Sequence, residues 1–68
     1  MIRLKINGVE GEVAATTLTD LLAARGVDPK TRFLAVAVNG LVVRRADWPA
    51  HRLSPGDDVE IVRPLSGG

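Results

Sequence analysis

The chain has 68 residues, 46% of them hydrophobic and 25% charged, with a formal net charge of +1 and no cysteine. These values suit one globular domain and exclude a disulfide scaffold, a thiolate metal site and the basic footprint of a nucleic-acid binder. No apolar run reaches the ~18 residues of a membrane helix, and the alternating start MIRLKING is unlike a signal peptide, so a soluble cytoplasmic protein is expected.

A chain this short buries only about 60% of the surface it exposes when unfolded. Its stability must come from a small core of Leu, Ile and Val, with Phe33 and Trp48 as the only aromatics. MIRLKI sets Ile2, Leu4 and Ile6 against Arg3 and Lys5, the alternation of a half-buried strand. Asn7-Gly8 is a turn dipeptide, and VEGEVA reads as the returning strand. Gly11 within it predicts a loop residue or a bulge.

The period then changes. Leu18, Leu21 and Leu22 fall on one helical face. Thr17 is a good N-cap, and Asp20 suits the positive end of the helix dipole. Arg25 in the last turn, Gly26 just after it and Asp28-Pro29 end a helix of about ten residues. Residues 33–38 are apolar on both faces, as expected of a strand inside a sheet, and Asn39-Gly40 turns the chain into a second strand ending at Arg44-Arg45. Residues 46–57 form a long connection, with Pro49 ruling out a regular strand and a short helical turn expected near Trp48. Pro55-Gly56 makes a tight turn into DVEIVR, a last strand with Val59 and Ile61 on one face.

The order β-β-α-β-β-β predicts an α+β domain: one mixed five-stranded sheet with a single helix on one face, and the first and last strands as central neighbours. Residues 1–64 form the domain, and residues 65–68 are expected to be a flexible tail.

No ordinary active site emerges. His51 is the one histidine, without a cysteine or carboxylate at useful spacing, and reads as a surface residue. Asp57-Asp58 follows Pro55-Gly56, which turn chemistry explains. Ser54 and Ser66 have no base nearby in sequence, and no phosphate-binding loop pattern occurs. Arg44 and Arg45 read as solvated charge that discourages edge pairing, with partner docking as the alternative. Trp48 reads as a plug over the sheet edge rather than a binding anchor.

The tail PLSGG remains. A carboxylate is a poor acyl donor until ATP activates it as an acyl-adenylate. Delivering a chain end to the α-phosphorus of a nucleotide through a narrow channel favours glycine, which has no Cβ and adopts any φ/ψ. Gly67-Gly68 fits that need. Pro64 stiffens the exit from the last strand, Leu65 offers an apolar handle, and Ser66 adds little bulk.

The stretches AVAVNGLVVRRADW and RLSPGDDVEIVRPLSGG, in this order and at this length, resemble the ThiS group of sulfur-carrier proteins. These are small members of the ubiquitin-like β-grasp fold. Arg44 departs from the resemblance, where many relatives carry a proline before the arginine. The resemblance implies that a ThiF-like E1-type enzyme adenylates the Gly68 carboxylate with ATP. Sulfur, commonly from a cysteine desulfurase, then converts it to a thiocarboxylate, which thiazole synthase uses to build the thiazole of thiamin. Gly67, Ser66 and Leu65 would contact the partner channel. The carrier itself would be no enzyme and would hold no cofactor or metal, and it would engage neither nucleic acid nor membrane. Docking is expected on the sheet face away from the helix.

Three other readings stay open. The small subunit of molybdopterin synthase shares fold and tail, but its phenylalanine-rich first strand is absent from MIRLKING. A carrier for another sulfur pathway is a second. A β-grasp binding module, such as an RNA-associated domain, is a third; Arg44-Arg45 gives it little charge for phosphates.

Overall fold

The computed structural model describes residues 1–63. Strand β1 (Ile2–Ile6) and strand β2 (Val9–Val13) pair antiparallel, with Ile6 opposite Val9. Asn7 and Gly8, at φ 50° and 83°, make the two-residue turn between them. Positive φ at both positions matches the twist of the flanking strands, which is why Asn-Gly is favoured there. Asn39 and Gly40 repeat the device between β3 (Ala35–Val38) and β4 (Leu41–Val43).

Helix α1 (Leu18–Ala24) crosses from β2 to the far side of the sheet. The Thr17 Oγ1 accepts the Asp20 N–H at 3.2 Å and caps its start. Its end is closed by two bonds: the Gly26 N–H donates to the Ala23 carbonyl, and the Val27 N–H to that of Leu22. This is a Schellman arrangement with Gly26 in the left-handed position and Val27 buried behind it. Arg25 is therefore the C-cap, and the helix has seven residues rather than the expected ten.

The sheet runs β2-β1-β5-β3-β4, with β5 (Asp58–Val62) parallel to β1 and antiparallel to β3. The expected element order and the β1–β5 neighbourhood both hold. Leu4, Ile6, Val36, Val38 and Val59 point to the helix side and meet Leu18, Leu21 and Leu22 in one core. Each fully buried leucine contributes about 1.5–3 kcal/mol. On the other face the register groups Arg3, Lys5, Glu10 and Glu12 at one side and Ala35, Ala37, Val42 and Val62 at the other. Of the exposed pairs there, Arg3 and Glu12 are 3.9 Å apart and solvated, which adds little stability.

Two local expectations are corrected. Gly11 is neither a loop residue nor a bulge: it pairs in regular register opposite Leu4. Phe33 does not begin a strand. Its φ of 61° breaks the extended backbone, β3 starts two residues later, and the ring is 79% exposed. The second face of β3 is apolar, but only through the small Ala35 and Ala37.

The long connection carries a 3₁₀ turn (Arg45–Asp47) and then Trp48, which is 2% exposed. The indole Nε1–H donates to the Val43 carbonyl at 2.9 Å, so Trp48 plugs the sheet edge as read. The pair Arg44-Arg45 divides. Arg44 is a solvated charge 3.4 Å from Asp47. Arg45 is structural. Its guanidinium lies 4.7 Å from the Trp48 ring centroid and donates to the Pro29 and Thr31 carbonyls, the latter at 2.6 Å. It ties the turn after β4 to the loop after α1. Arg45→Ala is therefore expected to lower stability by about 1–2 kcal/mol in urea unfolding, whereas Arg44→Ala should cost about 0.5 kcal/mol or less.

Candidate functional site

The residues that the sequence singles out for chemistry, Leu65, Ser66, Gly67 and Gly68, lie outside the described residues, as does Pro64. Their root is β5, and the structure shows how that strand is held. On one side β5 pairs with β3 along its length, up to Ala35 opposite Val62. On the other side the β1 pairing covers only Lys5 with Asp58 and Ile6 with Val59.

Beyond Ile6 the β1 chain turns away, and a side chain replaces it. The Asn7 N–H donates to the Val59 carbonyl at 2.9 Å, and the Asn7 Oδ1 accepts the Ile61 N–H at 2.8 Å. The carboxamide stands where the next backbone carbonyl of β1 would have been. It keeps the exit of β5 on the sheet after its partner strand has ended. Arg25, Arg63 and Val27 line a small depression beside Asn7 at the same end.

The entrance of β5 is fixed by a second asparagine. The Asn39 Nδ2 donates to the Asp57 Oδ1 at 3.0 Å, and the Asn39 Oδ1 accepts the Asp58 N–H at 2.9 Å. The other Asp57 oxygen accepts the Ser54 N–H at 2.8 Å. Asp57 is the turn residue the sequence indicated, and it also joins the β3–β4 turn to the Pro55-Gly56 turn.

His51, Ser54 and Asp57 line one groove together with Leu41 and Val43. They do not form a catalytic relay. Both carboxylate oxygens of Asp57 are committed to Asn39 and to the Ser54 backbone, and among the described residues no hydrogen bond joins the His51 ring to either neighbour. The His51 carbonyl instead accepts the Leu18 N–H at 3.1 Å and braces the start of α1. Among the described residues no cluster of three metal-ligating side chains occurs, and no helix is long and apolar enough to cross a membrane.

Sequence reasoning missed three residues near this frame. Asn7 was legible as a turn former, but its bond to Ile61 spans nearly the whole described chain. Arg45 looked like surface charge. Phe33 looked like strand.

One helix packed on a mixed sheet of this strand order defines a ubiquitin-like β-grasp protein. The chain belongs to the ThiS family, whose sequence profile matches residues 4–68. It is similar to the crystal structure of the thiamine biosynthesis protein ThiS from Geobacter metallireducens, with 30% identity and a TM-score of 0.80 over 98% of this chain and 100% of that one. It is also similar to an NMR solution structure of a thiamine biosynthesis protein from Geobacter metallireducens, with 30% identity and a TM-score of 0.79 over 98% of this chain and 88% of that one. A search of curated protein sequences gives no match.

The Asn7 clamp has a local signature. Asn7→Gly keeps the left-handed backbone but removes the acceptor. It should speed amide exchange at Ile61 by about tenfold, the loss of one hydrogen bond worth roughly 1.4 kcal/mol. Exchange at Val38 should change far less, as read by NMR.

Proposed function

We propose that this chain is a sulfur carrier whose reacting group is the Gly68 carboxylate, serving formation of the thiazole of thiamin. The observation that carries this reading is the family match, which runs through the Gly-Gly end rather than stopping at the folded domain. The likeness to thiamine biosynthesis proteins supports the pathway. The clamped root of β5 supports the mechanics, because a tail directed from a rigid strand is delivered with less ordering cost than a free chain end.

The chemistry has two steps. A carboxylate oxygen of Gly68 attacks the α-phosphorus of ATP in the active site of a ThiF-like E1-type adenylating enzyme, and pyrophosphate leaves. A sulfur nucleophile at the oxidation level of sulfide then attacks the glycyl carbonyl carbon, AMP leaves, and a thiocarboxylate remains. With a cysteine desulfurase as donor, the sulfur arrives as a persulfide, and a thiol reductant brings it to the sulfide level while being oxidised to a disulfide. The thiocarboxylate sulfur then passes on to thiazole synthase. Gly67 lets the backbone approach the nucleotide without a Cβ in the way. Leu65 and Ser66 contact the channel. ATP is consumed by the partner, and the carrier supplies the acyl group. In this reading residues 1–64 are the folded domain and residues 65–68 the functional tail.

Intact-mass spectrometry tests this directly. Incubated with a ThiF-type enzyme, ATP and sulfide, the full chain should gain the mass difference of one sulfur for one oxygen. A chain lacking Gly68 should not. Gly68→Ala should slow the reaction while thermal stability stays unchanged. No mass change, with the enzyme shown to be active on its own carrier, overturns the reading.

A further inference from the structure

Phe33 serves neither the core nor the sheet. Its ring is exposed, and its backbone sits at φ 61°, a region that bulky residues rarely occupy. The other positive-φ residues in the described chain are Asn7, Asn39 and glycines, the residue types that accept this conformation readily. Phe33 thus combines a strained backbone with a hydrated aromatic ring, each of which costs stability.

The loop that presents it is pinned. Arg45 holds the Pro29 and Thr31 carbonyls, the Thr31 N–H donates to the Asp28 carbonyl at 2.9 Å, and the Lys30 N–H donates to the Asp28 Oδ1 at 2.9 Å. The Arg32 guanidinium lies 5.4 Å from the Phe33 ring centroid.

Its position gives the ring a use. Ala35 pairs with Val62, so β3 begins where β5 ends, and Phe33 stands two residues before β3. It therefore lies at the end of the sheet from which the chain runs on to residues 64–68. Those five residues reach at most roughly 17 Å when fully extended. Any enzyme that draws Gly68 into a nucleotide site must bring its own surface within that distance of Arg63, the residue after Val62. Val62 is itself exposed, and Arg25, Arg32 and Arg63 give this end a positive rim.

We propose that Phe33 is an anchor for the adenylating enzyme. Its ring enters an apolar pocket at the mouth of the channel that takes the tail, and the surrounding arginines face carboxylates on the enzyme. Val62 extends the apolar contact. This inference rests on the carrier reading and adds the surface by which the partner recognises the folded domain.

The test is ATP–pyrophosphate exchange by the ThiF-type enzyme, titrated with carrier. Phe33→Gly and Phe33→Asn both suit the left-handed backbone and remove the ring. Both should raise the KM for carrier by about tenfold or more, as expected for loss of a central aromatic anchor, with kcat at saturation retained. Neither should lower the melting temperature, and Phe33→Gly should raise it. Phe33→Tyr should keep the wild-type KM. An unchanged KM in both ring-less variants, with wild-type carrier active, overturns the anchor and leaves the carrier reading standing. So does a wild-type dimer that dissociates in these variants without any change in KM. A wild-type chain that supports no exchange overturns the carrier reading, and the anchor falls with it.

Discussion

β5 is the last strand of the described chain and the middle strand of its sheet. Every other strand is ordered around it. β1 contributes a short parallel register, β3 a full antiparallel one, and β2 and β4 reach the sheet only through those two. Val59 is completely buried at its centre, against the leucines of α1. The two asparagines extend the same logic to the ends of the strand. Asn39 and Asp57 fix where β5 enters, and Asn7 fixes where it leaves. In a domain with so small a core, three polar side chains at strand ends do what longer strands would do in a larger sheet.

The parts of this fold that were legible in the sequence are the parts written by local physics. Alternation in β1 and β5, two Asn-Gly turns, and the sequence from Thr17 to Gly26 each depend on residues within a few positions of one another. The single helix and the central place of the chain's first and last strands followed from them. The errors have local causes too. Gly11 carries a weak signal for irregular backbone, but the β1–β2 register simply runs through it. Phe33 adjoins an apolar run and has strand propensity, yet its backbone is left-handed. The helix is shorter than the expected ten residues because Arg25 is already its C-cap and Gly26 turns left-handed directly after it.

Arg45 and Asn7 were opaque for another reason. Their partners are distant in sequence, so residue type alone placed one in solvent and the other in an ordinary turn. The candidate site divides along the same line. Residues 65–68 are singled out for chemistry by residue type and order alone, and they lie outside the described residues. How the exit of β5 is held could not be read from neighbours, since the bond from Asn7 to Ile61 is a product of the closed sheet.

Because Ile6 pairs with Val59, the sheet closes only after nearly all of the described chain is available. Such a contact carries a large loop-closure cost and places this small protein among domains whose folding is governed by non-local pairing. Until β5 docks, the leucine face of α1 and the inner face of β1 lack their central partner. An unfolded chain has the same Gly-Gly end as a folded one, but neither the tie at Ile61 nor a pinned aromatic beside it. On the proposed carrier reading, an adenylating enzyme that reads the domain as well as the tail would discriminate folded chains from nascent or damaged ones, so that ATP is consumed only on folded molecules.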